Sequence, residues 1–204
     1  DNMNALNRKL ITGGLSKPSK MPGYAYNLPA TECNVGAKLV QIPGSVCHGC
    51  YALKGRYRFP NVKEAMHRRL KSIDGPLWVE TMAADINARK SKYFRWHDSG
   101  DIQSLAHLKK IFDVCKLTPD VAHWIPTRES GILSKLGPEE VPANLTIRLS
   151  ATMVDGNAPK NSWHLTSTVV TEGASCPAPK QGNECKSCRN CWDQSIKNIA
   201  YGKH

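Results

Sequence analysis

The residues best suited to chemistry are cysteines, and their spacing sorts them into two sets. Cys176, Cys185, Cys188 and Cys191 place four thiols within sixteen residues, as C-PAPKQGNE-C-KS-C-RN-C-W. Two consecutive C-x-x-C steps share Cys188, so three sulfurs belong to one small loop, and a turn at Gly182 lets Cys176 complete the set. Upstream, Cys33, Cys47 and Cys50 form a sparser set of three, the last two within C-H-G-C-Y. Four thiols predict a closed site and three an open one. The eighth, Cys115 in Ile-Phe-Asp-Val-Cys-Lys, sits at an apolar helical position and reads as a buried structural thiol.

In a secreted chain, eight cysteines would suggest disulfides. Adjacent C-x-x-C steps suit metal chelation better than several independent bridges, and no secretory signal is visible. Reduced, metal-bound thiols in a cytoplasm are therefore expected. Thiolates select zinc, copper(I) or iron–sulfur clusters. A C-x-x-C-x-x-C run suits three corners of one iron–sulfur cube. Zinc, which usually pairs one C-x-x-C with a distant second pair, is the alternative. Cys176, Cys185, Cys188 and Cys191 would close a 4Fe–4S cluster that is structural or transfers electrons. Cys33, Cys47 and Cys50 would hold three corners of a second cube, leaving one iron open to water, to a side chain such as His48, or to a small ligand. An open iron of this kind is how S-adenosylmethionine is bound and reductively cleaved, chemistry that the cofactor carries and the protein positions.

The elements that must position these thiols follow from periodicity and punctuation. Residues 1–32 read as an irregular N-terminal arm with a first strand over 24–28. Residues 34–46 read as a loop or short hairpin, 61–72 and 77–89 as helices, 93–97 as a strand, 105–116 as a helix, 121–125 as a strand, 131–136 as a short helical piece, and 145–149 and 165–170 as strands. Strands alternating with helices or crossovers predict an α/β fold with a parallel sheet. Residues 33–172 would form its core around the three-cysteine site, and 173–204 a cysteine-rich, metal-binding C-terminal extension.

Three strands end in polar clusters: Asp98, Ser99 and Asp101; Thr127, Arg128 and Glu129; Ser150 and Thr152. Ligands of parallel α/β folds bind at the carboxyl ends of strands, so these residues are the expected cofactor-binding set. Asp98, Asp101 and Glu129 would meet an ammonium or ribose hydroxyls, and Arg128 a carboxylate. The competing reading is a salt-bridge set around Arg95, Arg128 and Arg148. No catalytic residue is assigned. His97 and His123 could act as acids or bases, or be packed core beside Trp96 and Trp124.

The 204 residues suffice for one sizeable core, and no apolar run is long enough to cross a bilayer. The chain begins at Asp1 without a Met, which leaves an upstream segment open. A net charge of +11 and a pI near 9.4 allow either a basic soluble surface or an anionic partner such as nucleic acid. The densest basic patches are Lys54-Gly-Arg-Tyr-Arg58 and His67-Arg-Arg-Leu-Lys71. The rival to a cluster enzyme is thus a zinc- or cluster-stabilised basic protein that binds nucleic acid or a host factor without turnover. No P-loop, G-x-G-x-x-G or Ser-His-Asp set appears.

The stretches G-S-V-C-H-G-C-Y-A-L-K-G-R-Y-R-F-P-N-V, F-R-W-H-D-S-G-D-I-Q-S, H-W-I-P-T-R-E, N-L-T-I-R-L-S-A-T-M-V-D-G and C-P-A-P-K-Q-G-N-E-C-K-S-C-R-N-C-W-D resemble the phage gene product 88 family, from about Lys17 to His204. That resemblance implies a viral protein expressed in the host bacterial cytoplasm and carries no settled activity. A looser likeness is to radical S-adenosylmethionine enzymes. Their C-x3-C-x2-C becomes C-x13-C-x2-C here, followed by Tyr51. That likeness implies a partial (β/α) barrel, similar to a small, incomplete TIM barrel, with the cluster after the first strand and an auxiliary four-cysteine cluster at Cys176–Cys191.

Overall fold

The structure is a computed structural model describing residues 3–160 and 163–203. Six parallel strands form one open sheet in sequential order: β1 (Tyr24–Tyr26), β2 (Tyr93–Trp96), β3 (Ala122–Thr127), β4 (Leu145–Ser150), β5 (Leu165–Val170) and β6 (Asn198–Gly202). Every adjacent pair is parallel, so all six carboxyl ends lie along one edge. The α/β class and the parallel sheet are as the sequence predicts.

Alternation along the strands divides the two faces. Phe94, Trp96, Ile125, Leu145, Ile147 and Leu149 join the main hydrophobic core with Trp78, Met82 and Ile86 of helix α4 (Trp78–Ala88) and Leu108, Ile111 and Phe112 of helix α5 (Leu105–Lys116). Cys115 is fully buried in that core, as expected. The opposite face presents Tyr93 and Arg95 from β2, Trp124 from β3, and Thr146 and Arg148 from β4. It is covered by residues 190–196: Trp192 packs edge-on against Tyr93 and Trp124, with centroids 5.2 and 5.4 Å away, and donates its indole N–H to the Phe94 carbonyl.

Three local expectations are corrected. The N-terminal arm is not wholly irregular, because α1 (Ala5–Thr12) forms there. Asn4 caps it by accepting from the Asn7 N–H, and Gly13, with φ +85°, ends it in the left-handed conformation. The Gly13-Gly14 pair is therefore a helix stop rather than a loop. Residues 34–39 form a helix, α2 (Asn34–Leu39), whose first turn is satisfied by Glu129: its carboxylate accepts from the Val35 N–H at 3.1 Å. The C-terminal segment also supplies β6, a strand not predicted, which pairs with β5 along its whole length, so that segment is continuous with the sheet. Helices α3 (Pro60–Ser72), α4 and α5 match the periodicity within a residue, and α6 (Ser130–Leu133) is shorter than expected.

Arg148 secures the covered face. It is fully buried on the middle of β4, and its guanidinium donates to the carbonyls of Thr166, Asn190, Cys191, Asp193 and Ile196 at 2.8 to 3.4 Å. Burial pulls its pKa down. Four of the five acceptors belong to residues 190–196, so one side chain holds that segment on the sheet. Arg148→Met would strand these buried carbonyls. The expected cost is about 3–5 kcal/mol, read as a fall in Tm of roughly 10 °C and as rapid proteolysis beyond residue 172.

His123 is a satisfied core residue. It accepts from the Trp96 indole N–H at 3.1 Å through Nδ1 and pairs with the Thr118 hydroxyl at 2.7 Å through Nε2. Burial lowers its pKa to about 3, lowers that of His107 to about 4, and holds His97 well below the ordinary value. The unfolded chain therefore binds more protons than the folded one between pH ~6.5 and ~4. Stability should fall as pH drops through that window, by on the order of 3 kcal/mol each for His123 and His107, and His123→Leu should flatten the slope in urea titrations run from pH 7 to pH 4.

Candidate functional site

The carboxyl edge of β1–β4 is roofed by the segment that carries the three upstream cysteines. Leu28, just beyond β1, donates its backbone N–H to the Ser99 carbonyl, and the Ser99 hydroxyl donates back to the Leu28 carbonyl. His97 ends β2 at φ +60°, an unusual backbone for a non-glycine residue. Gly100 follows at φ +84°, where a Cβ would lie 2.6 Å from that of Leu28. The His97-Asp-Ser-Gly-Asp101 turn is thereby folded tightly over the end of β1. Just beyond β4, the Thr152 carbonyl accepts from Val46 N–H and Val154 N–H donates to the Gly44 carbonyl, an antiparallel clasp directly before Cys47.

Cys33, Cys47 and Cys50 are brought together under this roof. Cys33 sits at the N-terminus of α2, and Cys50 N–H donates to the Cys47 carbonyl at 3.0 Å. The Sγ atoms of Cys33 and Cys47 each lie 3.7 Å from where a Cβ on Gly36 would stand, and that Cβ would come within 2.9 Å of the Cys33 Cβ. Gly36 keeps the space between the two sulfurs clear. Burial pushes the Cys33 thiol up to about 12, with Asp101 raising it further and Arg128 opposing; burial also raises Cys47. His48 does not join them: it is exposed, with Nδ1 3.0 Å from the Val40 carbonyl.

Among the described residues, most of the polar strand ends build the roof, while the Arg128 guanidinium and the Thr152 side chain do not. Asp101 accepts from Thr127 hydroxyl at 2.6 Å, Ile102 N–H at 2.8 Å and Arg128 N–H at 3.0 Å, and burial raises its pKa to about 6 against those bonds. Thr127 accepts from Glu129 N–H, and Glu129 holds α2. Asp98 pairs with Arg95 at 2.8 Å and accepts from the Tyr57 hydroxyl, while its carbonyl accepts from Tyr51. Ser150 bonds Ser167, and the Thr152 side chain is exposed. The salt-bridge reading thus holds for Arg95 alone: Arg148 binds carbonyls, and the Arg128 guanidinium has no hydrogen bond or ion pair among the described residues, with Nε buried.

The four C-terminal cysteines gather on the covered face. Cys185 lies within electrostatic reach of Cys176 and Cys188, and Cys191 of Cys176 and Cys185. The Cys191 sulfur is 3.0 Å from the Tyr201 hydroxyl of β6. Cys185 N–H donates to the Lys20 carbonyl, and Cys176 N–H to that of Ala200. All eight cysteines are free thiols. Among the described residues, no three His, Cys, Asp or Glu side chains converge to the distances that a single metal ion needs.

Sequence reasoning did not single out Arg95 or Tyr51 as members of the site. Arg95 lies 4.5 Å from the Trp124 ring centroid and within electrostatic reach of Cys185 and Cys191 on one side, and of Asp98 and Tyr51 on the other. Tyr51 in turn lies near Cys50 and Arg128. Burial works against the Arg95 charge, but Asp98 and its other neighbours hold it cationic. The signal was the alternation of Arg95 with Phe94 and Trp96, a charge on the strand face opposite the core.

No curated protein and no solved structure matches the chain. The family model for gene product 88 matches residues 2–166, which include Cys33, Cys47, Cys50 and every polar strand end but stop short of the four C-terminal cysteines. With most of its length matched in this way, the chain belongs to the phage gene product 88 family.

Proposed function

We propose that this phage protein is an iron–sulfur protein with two thiolate-held centres, an open one at Cys33, Cys47 and Cys50 and a closed one at Cys176, Cys185, Cys188 and Cys191. The observation that carries the reading is the gathering of three thiols at the strand ends, around a space that Gly36 leaves clear and beside Arg128, whose guanidinium has no partner among the described residues. His48 is exposed with Nδ1 on the Val40 carbonyl, so in this reading the fourth ligand position goes to a small molecule. The sequential strand order supports reading the sheet as a partial (β/α) barrel with its ligand at the carboxyl edge.

A cluster there would supply one-electron chemistry and an iron with an exchangeable position. The chain's own part is to bind and orient. Arg128 would take a carboxylate, since a guanidinium forms paired hydrogen bonds with that group. Asp101 and Glu129, already bonded to Thr127, Arg128 N–H and Val35 N–H, would fix Arg128 and α2 rather than touch the ligand. S-adenosylmethionine, whose amino and carboxylate groups can chelate an open iron, is the proposed ligand, which makes the reading a radical-type enzyme. Arg95, Arg148 and Arg189 would offset the negative charge of the closed centre.

Anaerobically purified protein should be brown and carry about eight irons per chain. Cys33→Ser and Cys185→Ser should each remove about half of the iron. Added S-adenosylmethionine should change the EPR spectrum of the reduced protein and, with dithionite, yield 5′-deoxyadenosine. Colourless protein carrying stoichiometric zinc would sink the reading. An unchanged spectrum would leave the clusters and remove the ligand.

Gly36→Ala separates the two centres. Its methyl would enter the space between Cys33 and Cys47, so iron should fall by about half and the S-adenosylmethionine response should vanish, while the signal of the C-terminal centre persists. Iron content equal to that of the unsubstituted protein would show that the cleared space holds no cluster.

A further inference from the structure

Between Glu32 and Glu64 the chain contains no acidic residue, but it carries Lys38, Lys54, Arg56, Arg58 and Lys63. The middle of this segment, two 3-10 turns at Tyr51–Leu53 and Gly55–Arg58, runs beside the three-cysteine site and is almost wholly exposed. Lys54, Arg56 and Arg58 have no ion pair or side-chain hydrogen bond among the described residues. Aromatic rings are interleaved with them. Tyr51 is 47% exposed and Phe59 55%, although large apolar side chains are usually covered. The Tyr51 and Tyr57 rings, 5.7 Å apart, are anchored by hydroxyls that donate to the carbonyl and the carboxylate of Asp98, so their positions are set before any partner arrives.

We infer that residues 51–59 form a docking surface for single-stranded nucleic acid. Cations without partners among the described residues, set beside exposed aromatic side chains, are what such strands require: phosphates meet Lys54, Arg56 and Arg58, while bases stack on Phe59. The net charge of +11 favours a polyanion. The exposed rings argue for unpaired bases, since a duplex hides its base faces and would leave them in water. The surface borders the open thiol site, so a bound strand would lie across its mouth. This inference stands whether or not the cysteines hold iron.

The test is fluorescence anisotropy with labelled oligothymidylate and the full-length chain, from about 50 to 200 mM salt. Saturable binding is expected, with log K falling against log salt at a slope near −2 if three phosphates are neutralised. The triple variant Lys54→Ala, Arg56→Ala, Arg58→Ala should weaken binding about tenfold or more and nearly abolish the slope. Phe59→Ala should weaken it about tenfold with the slope unchanged, since stacking is lost but no charge. Lys109→Ala with Lys116→Ala, exposed charges on α5, should bind like the parent. The inference is overturned if oligothymidylate does not bind, if the triple variant matches the α5 control, if duplex binds more tightly than single strand, or if Phe59→Ala is silent while polyglutamate or phosphatidylglycerol vesicles compete equally. The last result would assign the patch to anions in general.

Discussion

Arg148 is the contact that ties the C-terminal thiol set to the sheet. A buried guanidinium in the middle of a strand is costly unless its donors are used, and here they reach five backbone carbonyls, four of them in residues 190–196. The exchange is mutual. The segment has little regular structure of its own and needs donors for its carbonyls; the arginine needs acceptors away from water. Thr146, which donates to the Trp192 carbonyl, and Trp192, wedged between Tyr93 and Trp124, complete the attachment. Through it, the C-terminal cysteines are held to the face of the same sheet whose edge carries the other three.

The two sets then occupy contrasting settings. Cys191 and Cys185 lie against the sheet face, beside Arg95 and the Tyr201 hydroxyl. Cys33, Cys47 and Cys50 lie at the edge, among loops clasped to one another by Asp101, Glu129 and backbone pairing at residues 44–46. Arg95, Asp98 and Tyr51 stand between the two. Positive charge is placed beside both groups of sulfur, Arg95 and Arg148 for one and Arg128 for the other. In surroundings that disfavour ionised thiols, those cations are the features that favour anionic sulfur.

Most of the expected ligand-binding residues are occupied with structure. Asp98, Ser99, Asp101, Thr127 and Glu129 hold turns, a helix start and one another, as carboxylates and hydroxyls do when a loop must be buried. Their types were legible in the sequence, but most of their partners were not, because bonds such as Asp101 to Thr127, Ser99 to Leu28 and Glu129 to Val35 join residues 26 to 94 positions apart. Arg128 emerges as the exception only once the partners of the others are known.

The sequence by itself determined the strands and long helices, through alternation and helical periodicity; the two cysteine groups, through spacing; and the basic segment between Glu32 and Glu64, through composition. These are properties that a residue shares with near neighbours in the chain. Only the tertiary structure decided that α2 exists, since Glu129 supplies its cap, and that residues 198–202 are a strand, since β5 supplies the partner. It likewise brought Gly36 between two sulfurs and set Arg95 between the two thiol groups. Hydrogen bonds and charges act across space regardless of chain separation, and local pattern carries no record of which distant group will meet them.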